Sequence, residues 1–304
     1  MSKFKEIEDY RKFTFKGELH KSINSLIGII HGIRSDNITN EKEIAELIHW
    51  CNLHRRFAKK APFNEIIPLI DQALLDNKLE EEELEDILWL CNNIVNENDF
   101  NSYYDVITSS IQQLHGILHG IMADNVLNDV EIEQLSNWID DHDFLRGTYP
   151  FDEIHSLLVS VKQDGIISED EKNLLKAFFA TFIDTRVSHN INEFDVKFLK
   201  SQYSIIGICA VNPEIIFENK VFSFTGASHR ATRNEIARII QEMGGIFNNN
   251  VTKSTHYLIV GGNGNPCWAF ACYGRKVEKA IELRKKGTPI IIVHENDFWD
   301  EVVI

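Results

Sequence analysis

The sequence predicts two parts of different fold class: an all-α tandem helical repeat at the N-terminus, and after it a small α/β domain with a four-stranded parallel sheet. Three observations predict this. Residues 19 to 95 recur, without a gap, 88 positions later. Apolar residues in both copies fall at helical spacing, as in Ile23, Leu26, Ile27, Ile30 and again Ile111, Leu114, Leu118, Ile121. Past about residue 213 the pattern changes to short apolar strands alternating with helical stretches. A chain of 304 residues is long enough for two such domains, each burying its own core.

The repeat is carried by residues that match in type as well as position. Gly28, His31, Gly32, Asp36, Asn37, Glu43, Trp50, His54, Pro62, Phe63 and Glu65 meet Gly116, His119, Gly120, Asp124, Asn125, Glu131, Trp138, His142, Pro150, Phe151 and Glu153. The expected domain is 1–186, with repeats at about 15–98 and 103–186. Helical hairpins stacked in tandem are the simplest architecture.

Inside each repeat a shorter unit occurs twice: an Asp followed by Asn or Gly, then a Glu seven positions after the Asp. The four are Asp36 to Glu43, Asp76 to Glu83, Asp124 to Glu131 and Asp164 to Glu171. This is the spacing of positions 5, 6 and 12 of a calcium-binding EF-hand loop. Positions 1 and 3 exclude that reading, because they hold Gly32 and Arg34, Gln72 and Leu74, Gly120 and Met122, Ser160 and Lys162, which supply no carboxylates. Capping boxes account for the same residues: Asn40 with Glu43, Asn128 with Glu131 and Ser168 with Glu171 would satisfy open N–H groups at helix starts. The unit at Asp164, Gly165, Ile166, Ser168 and Glu171 resembles TerB-like domains, and that resemblance implies the helical fold alone.

Other chemistry in this half is sparse. His115 and His119 share a helix face, but the counterpart of His115 in the first repeat is Ile27, and no HExxH motif follows. Both read as structural histidines. Five scattered cysteines without a CxxC pair support neither a zinc ribbon nor a disulfide framework; they read as buried free thiols in a reducing compartment. No apolar run approaches the ~18 residues needed to span a bilayer, and the N-terminus lacks a signal-peptide pattern, so a cytoplasmic protein without membrane contact is expected.

Charge is shared unevenly. Residues 1–190 hold 18 Lys and Arg against 34 Asp and Glu, whereas residues 191–304 hold 13 against 12. An acidic N-terminal half repels nucleic acid, so any DNA contact must come from a local cluster in the C-terminal half.

Residues 187–212 read as a connector, in which SIIGICAV is either an edge strand or a buried segment, and Asn212-Pro213 ends it. In the domain that follows, 213–304, VFSFTG, HYLIVG and PIIIV are strands of a covered parallel sheet. Thr232-x-x-Glu235 is a capping box that places Arg233 at a helix start, where unpaired N–H groups attract anions. Ile236, Ile239, Ile240 and Met243 form the apolar stripe of that helix, and Gly244-Gly245 lets the chain leave it. Thr225 and Gly226 stand just past a strand end, the place where open α/β sheets bind ligands. Lys276 begins the next helix. Beyond it Lys279, Arg284, Lys285 and Lys286 form a basic run that is either a solvated helix face or a track for a duplex backbone.

Lys220 to Gly226, Arg233 with Glu235, Gly244-Gly245, Val251 to Thr255, Tyr257 to Val260, Lys276 with Lys279-Ala280, and Phe298-Trp299 together resemble the BRCT family. The similarity is greatest to the branch found in bacterial NAD-dependent DNA ligases and the large subunit of replication factor C. It implies a phosphate pocket made of Thr225, Gly226, Arg233 and Lys276. The chain departs from that pattern in a longer loop, GGNGNPCWAFACYGRK, with Arg275 directly before Lys276. Trp268 in this loop either stacks on a base or buries the loop, and Trp268, Arg275 and Lys279 are candidates for accessory contacts to the pocket.

The expectation is therefore a DNA-repair or replication-associated binding protein whose pocket takes a 5′-phosphate at a DNA end or nick, while the acidic repeats recruit a protein partner. The alternative is an adaptor that binds a phosphoprotein. No ligase adenylation motif, Walker A loop, exonuclease carboxylate set or GxSxG occurs, so no catalytic residue, cofactor or metal is expected.

Overall fold

The computed structural model describes the chain except residues 1, 37–38, 97–103, 163, 203–208, 211–212, 229, 262–274 and 303–304, and describes only the backbone at 2–15, 200 and 275. Among the described residues the elements are α1 (Ser2–Ile33), α2 (Glu41–His54), α3 (Phe63–Ala73), α4 (Glu81–Asn96), α5 (Val106–Ile121), α6 (Asp129–Asp141), α7 (Phe151–Val161), α8 (Glu169–Phe179) and α9 (Glu193–Gln202). They are followed by β1 (Val221–Thr225), α10 (Arg233–Glu242), β2 (Ile246–Phe247), β3 (Tyr257–Val260), α11 (Arg275–Lys285), β4 (Ile291–His294) and α12 (Glu295–Glu301). The predicted change from helical repeat to α/β is thus observed. No helix of the described residues is long and apolar enough to cross a membrane.

Two compact units form, and they interleave along the chain: Met1–Asn137 with Lys172–Tyr203, and Trp138–Glu171 with Ser204–Ile304. The helical hairpin around α7 therefore belongs to the same unit as the sheet.

In the first unit, α1 and α5, the equivalent helices of the two repeats, cross through glycines. A Cβ on Gly32 would stand 2.5 Å from the Ile117 carbonyl oxygen and 2.8 Å from the Gly120 Cα, and one on Gly120 would meet the Ile29 carbonyl at 2.3 Å. Two glycines per helix, one turn apart, let the backbones come together closely enough for extensive dispersion contact. Ile23, Leu26, Ile27 and Ile30, expected on one helical face, are all buried, with Leu47, Trp50, Phe63, Ile66 and Ile87 completing the core of the first repeat.

The acidic units prove to be turns with caps. The side chains of Asp76, Asp124 and Asp164 accept from the N–H groups of Lys78 (2.9 Å), Val126 (2.7 Å) and Ile166 (3.0 Å). Each turn passes through a residue of positive φ, Asn77 (58°), Asn125 (65°) or Gly165 (77°). Asn and Gly tolerate this left-handed conformation better than other residues, which explains why either one follows the Asp. The Glu then closes a capping box, with the backbone N–H of Asn40, Asn128 and Ser168 donating to Glu43, Glu131 and Glu171, each at 2.8 Å.

Two of these units also join the repeats to each other. The Asn40 side-chain amide donates to Asp124 (3.1 Å), and its counterpart Asn128 donates to Asp36 (2.9 Å). Glu43 and Glu131 are both buried beside this exchange. Burial first, then the neighbouring Asp36 and Asp124 charges, push each glutamate up to about 8 against the pull of its capping N–H. Elsewhere in the unit, buried Glu46 accepts from His119 (3.2 Å), the Ser188 hydroxyl (2.7 Å) and the backbone N–H of Asn190 (2.8 Å). Although burial opposes its charge, these donors hold Glu46 down at about 2.

In the second unit the sheet order is β2-β1-β3-β4, all parallel. Strand residues alternate between two covered faces. Phe222, Phe224, Tyr257, Ile259 and Val293 pack with Ile236 and Ile240 of α10 and Phe298 of α12. Leu258, Val260 and Ile292 pack on the other side with Val277, Ala280, Ile281 and Leu283 of α11. Within the connector, the Ala210 N–H donates to the Ile292 carbonyl (2.7 Å), which extends the hydrogen bonding beyond β4.

Two expectations need correction. Cys209 is disulfide-bonded, with its partner outside the described residues, so the cysteines are not all free; Cys51 and Cys91 are free and buried. Arg284 does not belong to a solvated or DNA-tracking basic face. It is buried, and its guanidinium lies against Asp152 and Glu153 of α7.

Candidate phosphate site

β1 ends at Thr225, which is buried, and the chain turns at Gly226 with φ of 80°. A Cβ at Gly226 would approach the Gly261 carbonyl oxygen to 3.3 Å while the backbone holds a conformation that L side chains rarely adopt. Glycine is required there on both counts. The Gly261 N–H donates to the Thr225 carbonyl (2.9 Å), so the turn after β1 and the end of β3 form one rim.

Two cations converge on this rim from two helices. Arg233 is the first residue of α10, set there by the Thr232 and Glu235 capping box, as expected. Its guanidinium donates to the Phe224 carbonyl (3.1 Å) and lies 5.5 Å from the centre of the Phe224 ring. The Lys276 ammonium, from the first turn of α11, donates to the same carbonyl at 2.9 Å. Burial, and then the Arg233 charge beside it, lower the Lys276 pKa. Among the described residues neither cation has a carboxylate partner. Two half-buried positive charges thus share one backbone oxygen beside a helix N-terminus, the kind of electropositive setting in which anions are held in proteins.

Sequence reasoning placed four residues here, and the fold brings Thr225, Gly226, Arg233 and Lys276 together. The accessory residues differ. Lys279 is exposed and pairs with Glu282 at 2.8 Å. Arg275 opens α11, with its side chain outside the described residues, and Trp268 lies outside them altogether. What sequence reasoning missed lies at the far end of α11. The Arg284 Nη2 donates to the Thr148 carbonyl (2.9 Å), Glu153 (3.0 Å) and Asp152 (3.2 Å), and another of its nitrogens donates to the Ile290 carbonyl. The Arg284 Nε and a Glu153 oxygen stand 2.8 Å apart, an ion contact outside hydrogen-bond geometry. Burial pushes Glu153 up to about 7, against the pull of Arg284. The sequence signal was slight: Glu153 matches Glu65 in type and only Asp152 departs from its counterpart, Asn64, while in the structure both first-repeat positions are exposed.

Comparison with known proteins identifies the family of the segment that carries this site. Residues 212–300 match the BRCA1 C Terminus (BRCT) domain. The chain is similar to a DNA ligase of Thermoanaerobacter pseudethanolicus, 41% identical over 83 residues, which is 27% of this chain and 10% of the ligase. It is also similar to DNA ligases of Fervidobacterium nodosum, 36% identical over 85 residues (28% and 10%), and Petrotoga mobilis, 28% identical over 135 residues (44% and 17%). The chain spans only about a tenth of the length of the first of these relatives. No solved structure gives a significant match. By that family match, the C-terminal segment, residues 212–300, is a BRCT domain.

Proposed function

We propose that this protein binds DNA ends or nicks without catalysing a reaction on them, and that the BRCT pocket takes the 5′-phosphate. The observation that carries this reading is the convergence of Arg233 and Lys276 on the Phe224 carbonyl, beside Thr225 and Gly226, with no carboxylate among the described residues to neutralise them. A terminal phosphate brings up to two negative charges and three strong acceptors, which suits two cations, a hydroxyl and backbone N–H groups better than an internal diester does. The ligase similarity of this segment supports DNA as the carrier of the phosphate. The excess of acid in residues 1–190 leaves the C-terminal pocket as the approach for DNA and keeps the helical repeats for a protein partner.

The test is fluorescence anisotropy of the full chain with a recessed duplex, with and without a 5′-phosphate, for wild type and Lys276→Ala. Tighter binding of the phosphorylated probe, lost in the variant, is the expected result. Equal binding of both probes by wild type overturns the reading. Capture of a phosphopeptide but no duplex would move the pocket to the adaptor role.

A further inference from the structure

We infer that Asp152 and Glu153, which belong to the second helical repeat, are positioning residues for the BRCT phosphate pocket, acting through Arg284 and the helix it shares with Lys276. The inference rests on the proposed role of that pocket. Lys276 and Arg284 are eight residues apart on α11, so about 12 Å of rigid helix separates the ammonium end from the guanidinium end.

The rest of the contact between α11 and the sheet is a stripe of Val277, Ala280, Ile281 and Leu283. Burial of such a stripe is strongly favourable but non-directional, so it resists lifting of the helix more than sliding along the sheet. The Arg284 guanidinium supplies direction. It is fully buried and held by the two carboxylates, the Thr148 carbonyl and the Ile290 carbonyl. Asp152 is itself fixed, because it accepts from the Gly147 N–H at 3.0 Å. The anchor thus lies outside the 212–300 segment, in the hairpin between α6 and α7 and the start of α7. The Ser156 hydroxyl, one turn along α7, donates to the Cys209 carbonyl and ties the same helix to the connector.

The first repeat has no such device, since Asn64 and Glu65 are exposed at the matching positions. The second repeat therefore differs from its copy where the sheet domain is held. Its consequence at the other end of α11 is that the Lys276 ammonium is kept at the Phe224 carbonyl, 2.9 Å away. Misplacing a binding group by about 1 Å is enough to cost a large factor in a geometry-dependent interaction.

The experiment uses the full chain and the recessed duplex with and without 5′-phosphate. In Asp152→Asn/Glu153→Met/Arg284→Met the charges are removed together, so no charge is stranded. The ratio of the two affinities is expected to fall about tenfold. Glu153→Asp, which shortens the anchor and keeps its charge, is expected to lower the ratio as well, whereas Glu153→Gln, which keeps length and an acceptor, holds it. In a Lys276→Ala background the triple substitution should cost nothing further, because both changes act on one contact. Far-ultraviolet circular dichroism checks that each variant is folded; if the triple variant is not, Glu153→Asp and its combination with Lys276→Ala decide. A wild-type ratio in the folded triple variant or in Glu153→Asp, or full additivity with Lys276→Ala, overturns the positioning role. A wild type that does not distinguish the two probes overturns the pocket reading instead, and the positioning role falls with it.

Discussion

Gly28 and Gly116, equivalent residues of the two repeats, face each other so closely that a Cβ built on Gly28 lies 2.7 Å from the Gly116 Cα and 2.0 Å from the Gln113 carbonyl oxygen. The neighbour is backbone, which cannot rotate away as a side chain would. Gly28→Ala or Gly116→Ala is expected to separate α1 from α5 and to lower unfolding stability by about 1–3 kcal/mol or more. Urea titration monitored by circular dichroism would show this as a lower midpoint.

The paired glutamates beside the Asn40–Asp124 and Asn128–Asp36 exchange predict a pH dependence. Glu43 and Glu131 each stand at about 8 in the folded chain, above the ordinary glutamate value. A raised folded pKa means that their contribution is intact below about pH 4.5 and is lost as pH climbs through about 8. Glu43→Gln/Glu131→Gln should remove that slope and raise Tm at pH 8 by ~2–4 °C relative to wild type. Thermal melts at pH 6, 7 and 8 check both the slope and its sign.

Arg284 predicts the reverse asymmetry between single and combined changes. Arg284→Ala leaves Asp152 and Glu153 buried without their cation and is expected to destabilise by about 3–5 kcal/mol. Replacing all three residues by neutral side chains should recover most of that loss. Chemical denaturation of the full chain compares the two.

Salt dependence reads the pocket directly. If Arg233 and Lys276 each neutralise part of a bound phosphate, the slope of log affinity against log salt should become shallower by roughly 0.9 for each phosphate contact removed. Anisotropy titrations of wild type, Arg233→Ala and Lys276→Ala at several salt concentrations would show parallel lines if neither residue touches the nucleic acid.

Calcium should leave the protein unchanged. The carboxylates of Asp124 and Asp164 accept from Val126 and Ile166, and Glu131 and Glu171 cap Asn128 and Ser168. Millimolar calcium is expected to shift Tm by less than ~1 °C, because sites of the EF-hand type depend on carboxylates at loop positions that this chain lacks.

What the sequence determined by itself was local or periodic. The capping boxes at Asn40, Asn128, Ser168 and Thr232 depend on residues three apart, and they form as read. The burial of Ile23, Leu26, Ile27 and Ile30 depends on helical period alone. The order of Thr225, Gly226, Arg233 and Lys276 was legible because each stands at the end of an element whose type the pattern reveals. Tertiary structure decided what depends on contacts between residues far apart in the sequence. Arg284 in RKK looks like a solvated cation, and only the fold brings Asp152 and Glu153 across 132 and 131 positions to bury it. The same holds for Gly28 and Gly116: each looks like a weak point in a helix until the other arrives opposite it. A side chain's neighbours along the chain set its conformation, but its charge state and cost of burial are set by what packs against it, and no local pattern records that.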